Sequence, residues 1–318
     1  MKLDSIKYFV GVDISKDTLD ICFLTIDETK KDFYKIKNNH TNIKALFDSF
    51  KFNEIAVCYE ATNNYHIELA KYLTNQKISY SEINAYKSSL FLKHLTHIKT
   101  DITDSYGLAY YCKHFGNTFI QSKFNSKYKL IQSYNSTYSI VVKMQTQLKN
   151  FEKSQISAND ETLKQIIVNL KNIIKQTLKR LEDIAYELLK DEIPVTDEII
   201  SSNKGIGKSL ALSLFPILHY NKNRSSKEII SYLGLSPRIY ESGISVKKSQ
   251  KINKIGNSNI RRILYLSALS CIRHNEVFKQ RYERLLTNNK SKKVAIVAVM
   301  CAIIRYLKSR YFKDDIYK

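Results

Sequence analysis

The two most apolar strand candidates of this chain each end in a carboxylate. Asp13 closes the run Phe9–Val12, and Glu60 closes the run Ile55–Tyr59. A carboxylate at the end of a buried strand lies at the rim of a sheet, where it meets solvent with apolar residues behind it. Only a fold that sets these two strands side by side brings both acids to one point.

Two more acids stand three residues apart in KTDITDSYGLAYYC, a segment with helical spacing. Asp101 and Asp104 would share one face of that helix. If the helix packs across the two strands, four acids converge, and they repel one another unless a cation holds them. Hard divalent ions prefer carboxylate oxygens, so the pattern predicts a Mg²⁺ site, with Mn²⁺ as an alternative, suited to phosphoryl transfer. Taken singly, each acid is more simply a helix cap or a solvated side chain.

The first 117 residues alternate between strand and helix patterns. We expect strands over Tyr8–Ile14, 19–25 and 33–37, a helix over 45–50 capped by Thr41, and the strand that ends at Glu60. A helix over 65–73, a strand over 78–83 and helices over 85–95 and 101–115 follow. This order matches the α/β ribonuclease H-like fold, in which the first strand lies beside the fourth. We therefore predict a catalytic domain over residues 1–117.

Residues 125–192 contain neither glycine nor proline and predict two long helices broken near residues 157–160. Apolar residues of the second helix keep a 4–3 spacing, which is typical of a coiled-coil seam. A helical hairpin packed on its own chain would satisfy the same pattern. We predict such a helical linker over residues 118–195, ended by Pro194. The seam positions are Leu163, Ile167, Leu170, Ile174, Thr177, Leu181, Ile184 and Leu188.

Positive charge is concentrated in the last third of the 318-residue chain, whose net charge is +21. Residues 199–318 carry 24 Lys and Arg against 6 Asp and Glu, whereas residues 1–115 carry 15 against 14. A Lys-rich composition alone would spread the charge evenly along the chain. The asymmetry therefore predicts a basic, all-α C-terminal domain over residues 196–318 that binds a polyanion, most simply nucleic acid.

The five cysteines form no C-x-x-C pair, and Cys22, Cys58 and Cys301 lie in apolar runs. Buried thiols in a reducing compartment are the ordinary expectation, without disulfides or a zinc site. The longest apolar run, Val294–Ile304, has 11 residues and is too short to span a bilayer. We expect a soluble cytoplasmic protein with no membrane partner.

The segment Lys204–Ser209 contains two glycines and resembles a phosphate-binding loop. An ATPase loop would need glycine where Ser202 stands and a strand before it. The segment fits a helix-hairpin-helix better, since two glycines allow a tight turn that presents backbone amides to a DNA phosphate. A plain corner between two helices, without DNA contact, is equally consistent. The nucleic-acid candidates here are Lys204, Gly205, Gly207 and Lys208.

A second basic block follows, with six basic residues and no acid between Gly243 and Arg262. Its Ser, Asn and Gln residues are suited to contacts along a sugar–phosphate backbone. Ser242 lies in a Ser-Gly turn beside the block, but nothing in the sequence identifies a base to activate its hydroxyl. Chemistry alone makes Ser242 a turn residue first and a nucleophile second. The nucleic-acid candidates are Arg238, Lys247, Lys248, Lys251, Lys254, Asn257, Arg261 and Arg262.

Nearly end to end, the chain resembles the DEDD transposases of the IS-one-ten insertion-sequence family. The matching segments are GVDISKDTLD, YEATNNY, KTDITD and the stretch from LGLSPRIYESG to GNSNIRRIL. The order and the approximate spacing of these blocks agree with the family pattern. The resemblance implies a RuvC-like site in which Asp13, Glu60, Asp101 and Asp104 bind Mg²⁺. It also implies that Ser242 is the nucleophile that joins covalently to DNA.

The resemblance further implies a site-specific recombinase that acts on double-stranded DNA under the guidance of a structured RNA from its own element. Four subunits would assemble, with the acid site of one subunit working beside the serine of another. Two other functions remain open from the residues alone. One is a metal-dependent junction-resolving endonuclease that uses water as its nucleophile. The other is a non-catalytic nucleic-acid-binding protein with a degenerate nuclease fold.

Overall fold

The computed structural model describes residues 5–60, 64–83, 88, 91, 100–116, 122–155, 160–237, 241–242, 246–247 and 251–313. The chain divides into two compact units, Met1–Asn125 and Ser126–Lys318. Each unit buries its own hydrophobic core. Within the described ranges, every helix is too short or too polar to cross a membrane.

A five-stranded sheet forms the centre of the N-terminal unit. Its strand order is β3-β2-β1-β4-β5, with β1 antiparallel to β2 and parallel to β4. The predicted adjacency of the first and fourth strands is therefore confirmed, and the predicted strand bounds agree to within two residues. The strands are β1 Tyr8–Ile14, β2 Thr18–Thr25, β3 Lys31–Lys37, β4 Ile55–Glu60 and β5 Ser79–Ile83.

Helices cover both faces of this sheet, which explains why β1 and β4 are almost continuously apolar. Helices α1 (His40–Phe47) and α2 (Ile67–Asn75) contribute to the core on one face, together with Val10 and Phe23. Helix α3 (Asp101–Phe115) packs on the opposite face, where Leu108 and Cys112 contact Phe9. This arrangement matches the ribonuclease H-like expectation.

The predicted start of the first helix is wrong. Asn39, rather than Thr41, caps α1: its backbone is extended and its side-chain oxygen accepts a hydrogen bond from the Asn42 amide at 3.0 Å. Thr41 lies inside the first turn because Asn39 already satisfies an amide there. The helix predicted over residues 85–95 lies mainly outside the described residues. Of this range, the structure describes only residues 88 and 91.

The C-terminal unit begins with two long antiparallel helices, α4 (Ser126–Gln155) and α5 (Glu161–Glu192). Ion pairs join Lys127 to Glu192 at one end and Glu152 to Lys171 further along. The two helices pack on each other, so the hairpin alternative accounts for part of the predicted seam. Ile167 is buried, whereas Leu170 and Ile184 are exposed. The coiled coil with a partner chain stays a prediction. The break near 157–159 lies outside the described residues.

Among its described residues, the C-terminal unit has six shorter helices around a core that includes Leu210, Phe215, Leu264 and Ile303. They are α6 Thr196–Ser202, α7 Lys208–Tyr220, α8 Ser226–Tyr232, α9 Ser258–His274, α10 Glu276–Thr287 and α11 Lys292–Tyr311. The all-α expectation needs one correction. Residues around the Ser-Gly turn form a small antiparallel pair, β6 (Glu241–Ser242) with β7 (Val246–Lys247).

Candidate active site

The close approach of α3 to β1 depends on Gly11. A methyl group at this position would overlap the carbonyl oxygen of Ser105 and the amide nitrogen of Ala109, both in the backbone of α3. Only glycine lets the helix lie so near the strand. The first turn of α3 is thereby held beside the end of β1 that carries Asp13.

Three acids of the sheet point to the same face as α3. Asp13 pairs with Asp20 across the β1–β2 hairpin, and cross-strand partners project to one side of a sheet. Val12 of β1 lies beside Tyr59 of β4 in the parallel ladder. The next residue is Asp13 in β1 and Glu60 in β4. Glu60 therefore comes to the same edge as Asp13, as the sequence predicts.

Helix α3 adds two acids to this edge. Thr100 caps the helix through a capping box with Thr103, so that Asp101 and Asp104 fall in the first turn. Carboxylates near a helix N-terminus interact favourably with the positive end of the helix dipole. This local stabilisation alone would account for both residues, and both carboxylates also act electrostatically on Asp13.

The electrostatics of Asp13 demonstrate that the acids share one environment. Burial, followed by the negative charges of Asp104, Asp101, Asp20 and Glu60, raises the pKa of Asp13 from an ordinary value of 3.8 to about 6. Each of the four acids predicted for the site thus contributes to, or responds to, a common field. The structure therefore places Glu60, Asp101 and Asp104 within electrostatic reach of Asp13.

Sequence reasoning missed three members of this cluster. Asp20 belongs to the cluster because the three-residue turn between β1 and β2 fixes the register that places it opposite Asp13. Lys35 of β3 pairs with Asp20, and its ammonium nitrogen lies 3.1 Å from the Asp20 carboxylate and 3.3 Å from that of Asp101. The buried Ser88 donates a hydrogen bond to Glu60. Neither contact has a local sequence signal, because each joins segments far apart in the chain.

The donor set of the cluster suits a hard divalent cation, since its potential ligands are carboxylate oxygens. In the described part of the chain, no three His, Cys, Asp or Glu side chains lie close enough together to hold a metal ion as they stand. The Asp101 side chain is well exposed, so it meets little steric hindrance to rotation once its ion pair with Lys35 is broken. The residues fit such an ion by chemistry and by electrostatic need, after side-chain adjustment.

The predicted serine lies in the C-terminal unit. Ser242 forms part of β6, and its backbone pairs with Val246 of β7. Lys247 belongs to β7 as well, whereas Arg238 and Lys248 lie outside the described residues.

The predicted glycine turn joins α6 to α7, as expected of a helix–turn–helix unit. Gly205 has a φ of +96°, and a methyl group there would lie 2.6 Å from the amide nitrogen of Cys271 in α9. The residue is therefore required for packing, whether or not the turn meets DNA. Gly207 precedes α7 without a side-chain cap, and Lys208 lies over the Tyr186 ring at 4.5 Å. Lys204 is exposed.

Two of the predicted nucleic-acid residues have structural partners of their own. The side chain of Asn257 caps α9 by accepting hydrogen bonds from the amides of Asn259 and Ile260. Arg261 donates to the backbone carbonyls of Leu233 and Gly256. The side chains of Lys251, Lys254 and Arg262 are exposed, as a contact with a polyanion requires.

The glycine turn and the second basic block meet at one cavity of about 460 Å³ inside the C-terminal unit. Residues from the turn and from α9 line it, and α4 and α5 close it with Tyr138 and Glu182. Arg262 also donates a hydrogen bond to Asn259 at 3.0 Å. Two segments that are some 50 residues apart in the chain therefore contribute to a single surface, which includes Gly205, Gly207, Lys208, Asn259 and Arg262.

Comparison with known proteins agrees with both halves of this arrangement. A DEDD transposase family model of the IS110 type matches residues 10–158, which include all four acids. A second model, described as "Transposase IS116/IS110/IS902 family", matches residues 197–283, which include the serine. The chain belongs to the IS110 transposase family. This is the IS-one-ten family whose motifs the sequence carries.

Two relatives of this IS110 transposase are similar along most of their length. A pilin gene-inverting protein of Moraxella lacunata is 25% identical over 310 residues, which cover 92% of each chain. A pilin gene-inverting protein of Moraxella bovis is 25% identical over 319 residues, again 92% of each. Family and relatives support an enzyme of DNA recombination and transposition, and DEDD transposase domains generally depend on a divalent metal ion.

The raised pKa of Asp13 predicts a pH dependence for this transposase. The folded state binds the Asp13 proton more tightly than the unfolded state, so without divalent ions its stability falls as pH rises from about 4 to about 6. A divalent ion held by these acids would bind their deprotonated forms, so its stabilising effect should grow over the same interval. Thermal unfolding with EDTA and with Mg²⁺, in steps of pH, measures both trends. An Asp13→Asn protein should lose this part of the pH dependence; an unchanged profile would contradict the shared field.

Proposed function

We propose that this protein is a site-specific recombinase that moves its own insertion sequence by Mg²⁺-dependent strand cleavage and exchange, with Ser242 as the covalent nucleophile. The substrate is double-stranded DNA at the element ends and at the target. A structured RNA encoded by the element guides the reaction. The protein works as a homo-oligomer of two to four subunits.

The convergence of the acids supports this proposal most strongly. Asp13 and Glu60 end adjacent strands, and Asp101 and Asp104 begin the helix that crosses them. Burial and crowding raise the pKa of Asp13 to about 6, so a bound cation would be favoured because it relieves the repulsion that the ionised cluster carries near neutral pH. A purely structural acid pair would not require a glycine-dependent close approach of the helix.

The four acids would hold the divalent ion, which when bound supplies Lewis-acid stabilisation of charge on the phosphate oxygens. The chain itself supplies the remaining conditions. Lys35 offsets part of the negative charge of Asp20 and Asp101 in the absence of other cations. Ser88 orients the Glu60 carboxylate by donating a hydrogen bond to it.

Attack by serine instead of water conserves the free energy of the phosphodiester bond in a covalent protein–DNA intermediate. The Ser242 oxygen forms a bond to phosphorus, one bridging oxygen leaves, and the serine proton passes to that leaving oxygen. The phosphoserine diester is as reactive as the bond it replaced, so attack by a new DNA hydroxyl rejoins the strand without another energy source. Hydrolysis by water, in contrast, would end the reaction at cleavage.

The basic surface of the C-terminal unit is suited to hold the nucleic acids. The cavity between the glycine turn and α9 combines backbone amides at the start of α7 with Lys208 and Arg262. Lys251 and Lys254 extend the positive charge on the exposed surface. Arg238, Lys247 and Lys248 would add to it, and binding should weaken steeply with salt because phosphate contacts release counterions.

The decisive experiment for the serine role is capture of a covalent protein–DNA adduct. The wild-type protein, with Mg²⁺, labelled element ends and the element's RNA, should leave label on the protein after denaturation. Ser242→Ala should yield no adduct and no strand exchange, because no other hydroxyl replaces the missing oxygen. Binding of DNA and RNA should remain within about twofold, since one neutral side chain adds little to affinity.

Ser236→Ala is the matched control, since it removes a hydroxyl six residues upstream and should leave adduct formation intact. An active Ser242→Ala protein would refute the nucleophile. Cleavage by the wild type without any adduct would favour the junction-resolving endonuclease that uses water.

A further inference from the structure

We propose that a second cavity, between α10 and α11, binds a backbone phosphate of the nucleic acid. This cavity has a volume of about 410 Å³ and lies apart from the glycine turn and the second basic block. The residues that line it come from two helices of the C-terminal unit. They are Val277, Phe278, Gln280, Arg281, Arg284, Ala302 and Tyr306.

The charge of this cavity is one-sided. Arg281 and Arg284 line it, one turn apart on α10, and no Asp or Glu is among the described residues of its wall. Arg305 does not line the cavity, but it and Arg281 both oppose the rise that burial causes in the pKa of the Cys301 thiol, which adds positive charge to this region. Two guanidinium groups that line one cavity favour an anionic ligand.

Arg281 supplies the observation that points to a missing acceptor. Its Nε atom is buried and has no hydrogen-bond partner within the part of the chain that the structure describes. Buried polar atoms of native proteins are nearly always paired, and an unpaired donor is costly. Because this atom is closed to solvent, a ligand oxygen would reach it once the guanidinium turns toward the cavity that Arg281 lines. Phosphate suits this position because the planar guanidinium binds its oxygens through two parallel N–H groups.

The walls and the surroundings of the cavity favour a phosphodiester over a free anion. Phe278 and Tyr306 meet edge to face with ring centroids 5.9 Å apart, which gives the cationic pocket an apolar side against which a sugar can lie. Gln280 and Arg284 are exposed at the opening, where a strand can pass. This inference rests on the proposed function, because it takes the ligand to be nucleic acid. DNA and RNA offer the same phosphate chemistry.

Charge-removing substitutions on α10 test the site. Arg284→Gln and Arg281→Gln should each weaken binding about tenfold, and each should reduce the dependence of binding on salt by roughly one counterion. The dissociation constants are measured by fluorescence anisotropy in EDTA, with element-end duplex DNA and with the element's RNA as separate probes. Loss with only one probe identifies the polymer that occupies the cavity. Loss with both indicates a position that either can fill.

Lys279→Gln is the matched control, because Lys279 is an exposed cation of the same helix that pairs with Glu276 and does not line the cavity. It should change either affinity by less than about twofold. Equal effects of Arg284→Gln and Lys279→Gln would overturn the proposal, since only net charge would then matter. Arg281→Lys keeps the charge but loses Nε; if circular dichroism confirms its fold, wild-type binding by this protein would also overturn the proposal. Neither result bears on cleavage, which Asp13 tests separately.

Discussion

The Asp13→Asn protein is expected to cleave its DNA at least about 10³-fold more slowly than the wild type while binding DNA and RNA normally. The substitution preserves shape but removes the charge of a proposed metal ligand, and metal-assisted stabilisation of phosphoryl transfer contributes several kcal/mol, each 1.4 kcal/mol of which is about tenfold in rate. Asp13 lies at the centre of the cluster, because Asp104, Asp101, Asp20 and Glu60 all act on it. Single-turnover cleavage of labelled element ends in Mg²⁺ measures the rate.

Asp32→Asn is the control for this measurement. Asp32 pairs with Phe23 on the opposite face of the same sheet, so its loss should leave cleavage within about twofold. Normal cleavage by Asp13→Asn would favour a non-catalytic protein with a degenerate nuclease fold. Loss of cleavage together with loss of binding would mean that Asp13 supports the fold rather than the reaction.

The Gly11→Ala protein is expected to lose about 1–3 kcal/mol, or more, of the free energy of unfolding of the N-terminal unit. The added methyl group has to displace the backbone of α3 at Ser105 and Ala109, which cannot yield as a side chain can. Asp101 and Asp104 would then move away from Asp13, so cleavage should fall even at temperatures where the protein stays folded. Urea denaturation followed by tyrosine fluorescence, beside the cleavage assay, measures both effects.

Gly207→Ala is the matched glycine control. A methyl group at Gly207 meets no atom within 4 Å, so the cost should stay below about 1 kcal/mol, the value of an altered helix cap. Equal stability of the two variants would show that α3 is not pressed against β1. Full activity of a destabilised Gly11→Ala protein would separate the helix position from catalysis.

Much of the N-terminal unit could be predicted from sequence, because its signals are local. Runs of apolar residues predicted β1 and β4, and the three-residue spacing of Asp101 and Asp104 predicted that they share one face of α3. The order of elements then implied that the first and fourth strands are neighbours. The helix start failed because Asn39 and Thr41 are both capping residues, and only the backbone conformation distinguishes them.

The remaining features depend on contacts between distant segments. Lys35 reaches Asp101 across 66 positions, and Arg281 faces Tyr306 across two helices, so neither has a pattern in the sequence. The composition of the basic block predicts that Asn257 and Arg261 contact the nucleic-acid backbone. In the structure, both side chains form hydrogen bonds with backbone groups of the protein itself. A polar side chain in a basic block is an equally good cap, and its neighbours in space decide which role it takes.

The salt bridges of Lys35 give the acid cluster a tethered counter-charge. An ammonium group that is covalently part of the chain is present at the same effective concentration whatever the ionic composition of the surroundings. The N-terminal unit can therefore complete its folding before any divalent ion arrives, with part of the mutual repulsion of its carboxylates already relieved. An incoming cation has to compete with this tethered ammonium group, which can form its ion pairs again whenever the cation leaves. Binding of a cation to the cluster should therefore remain reversible.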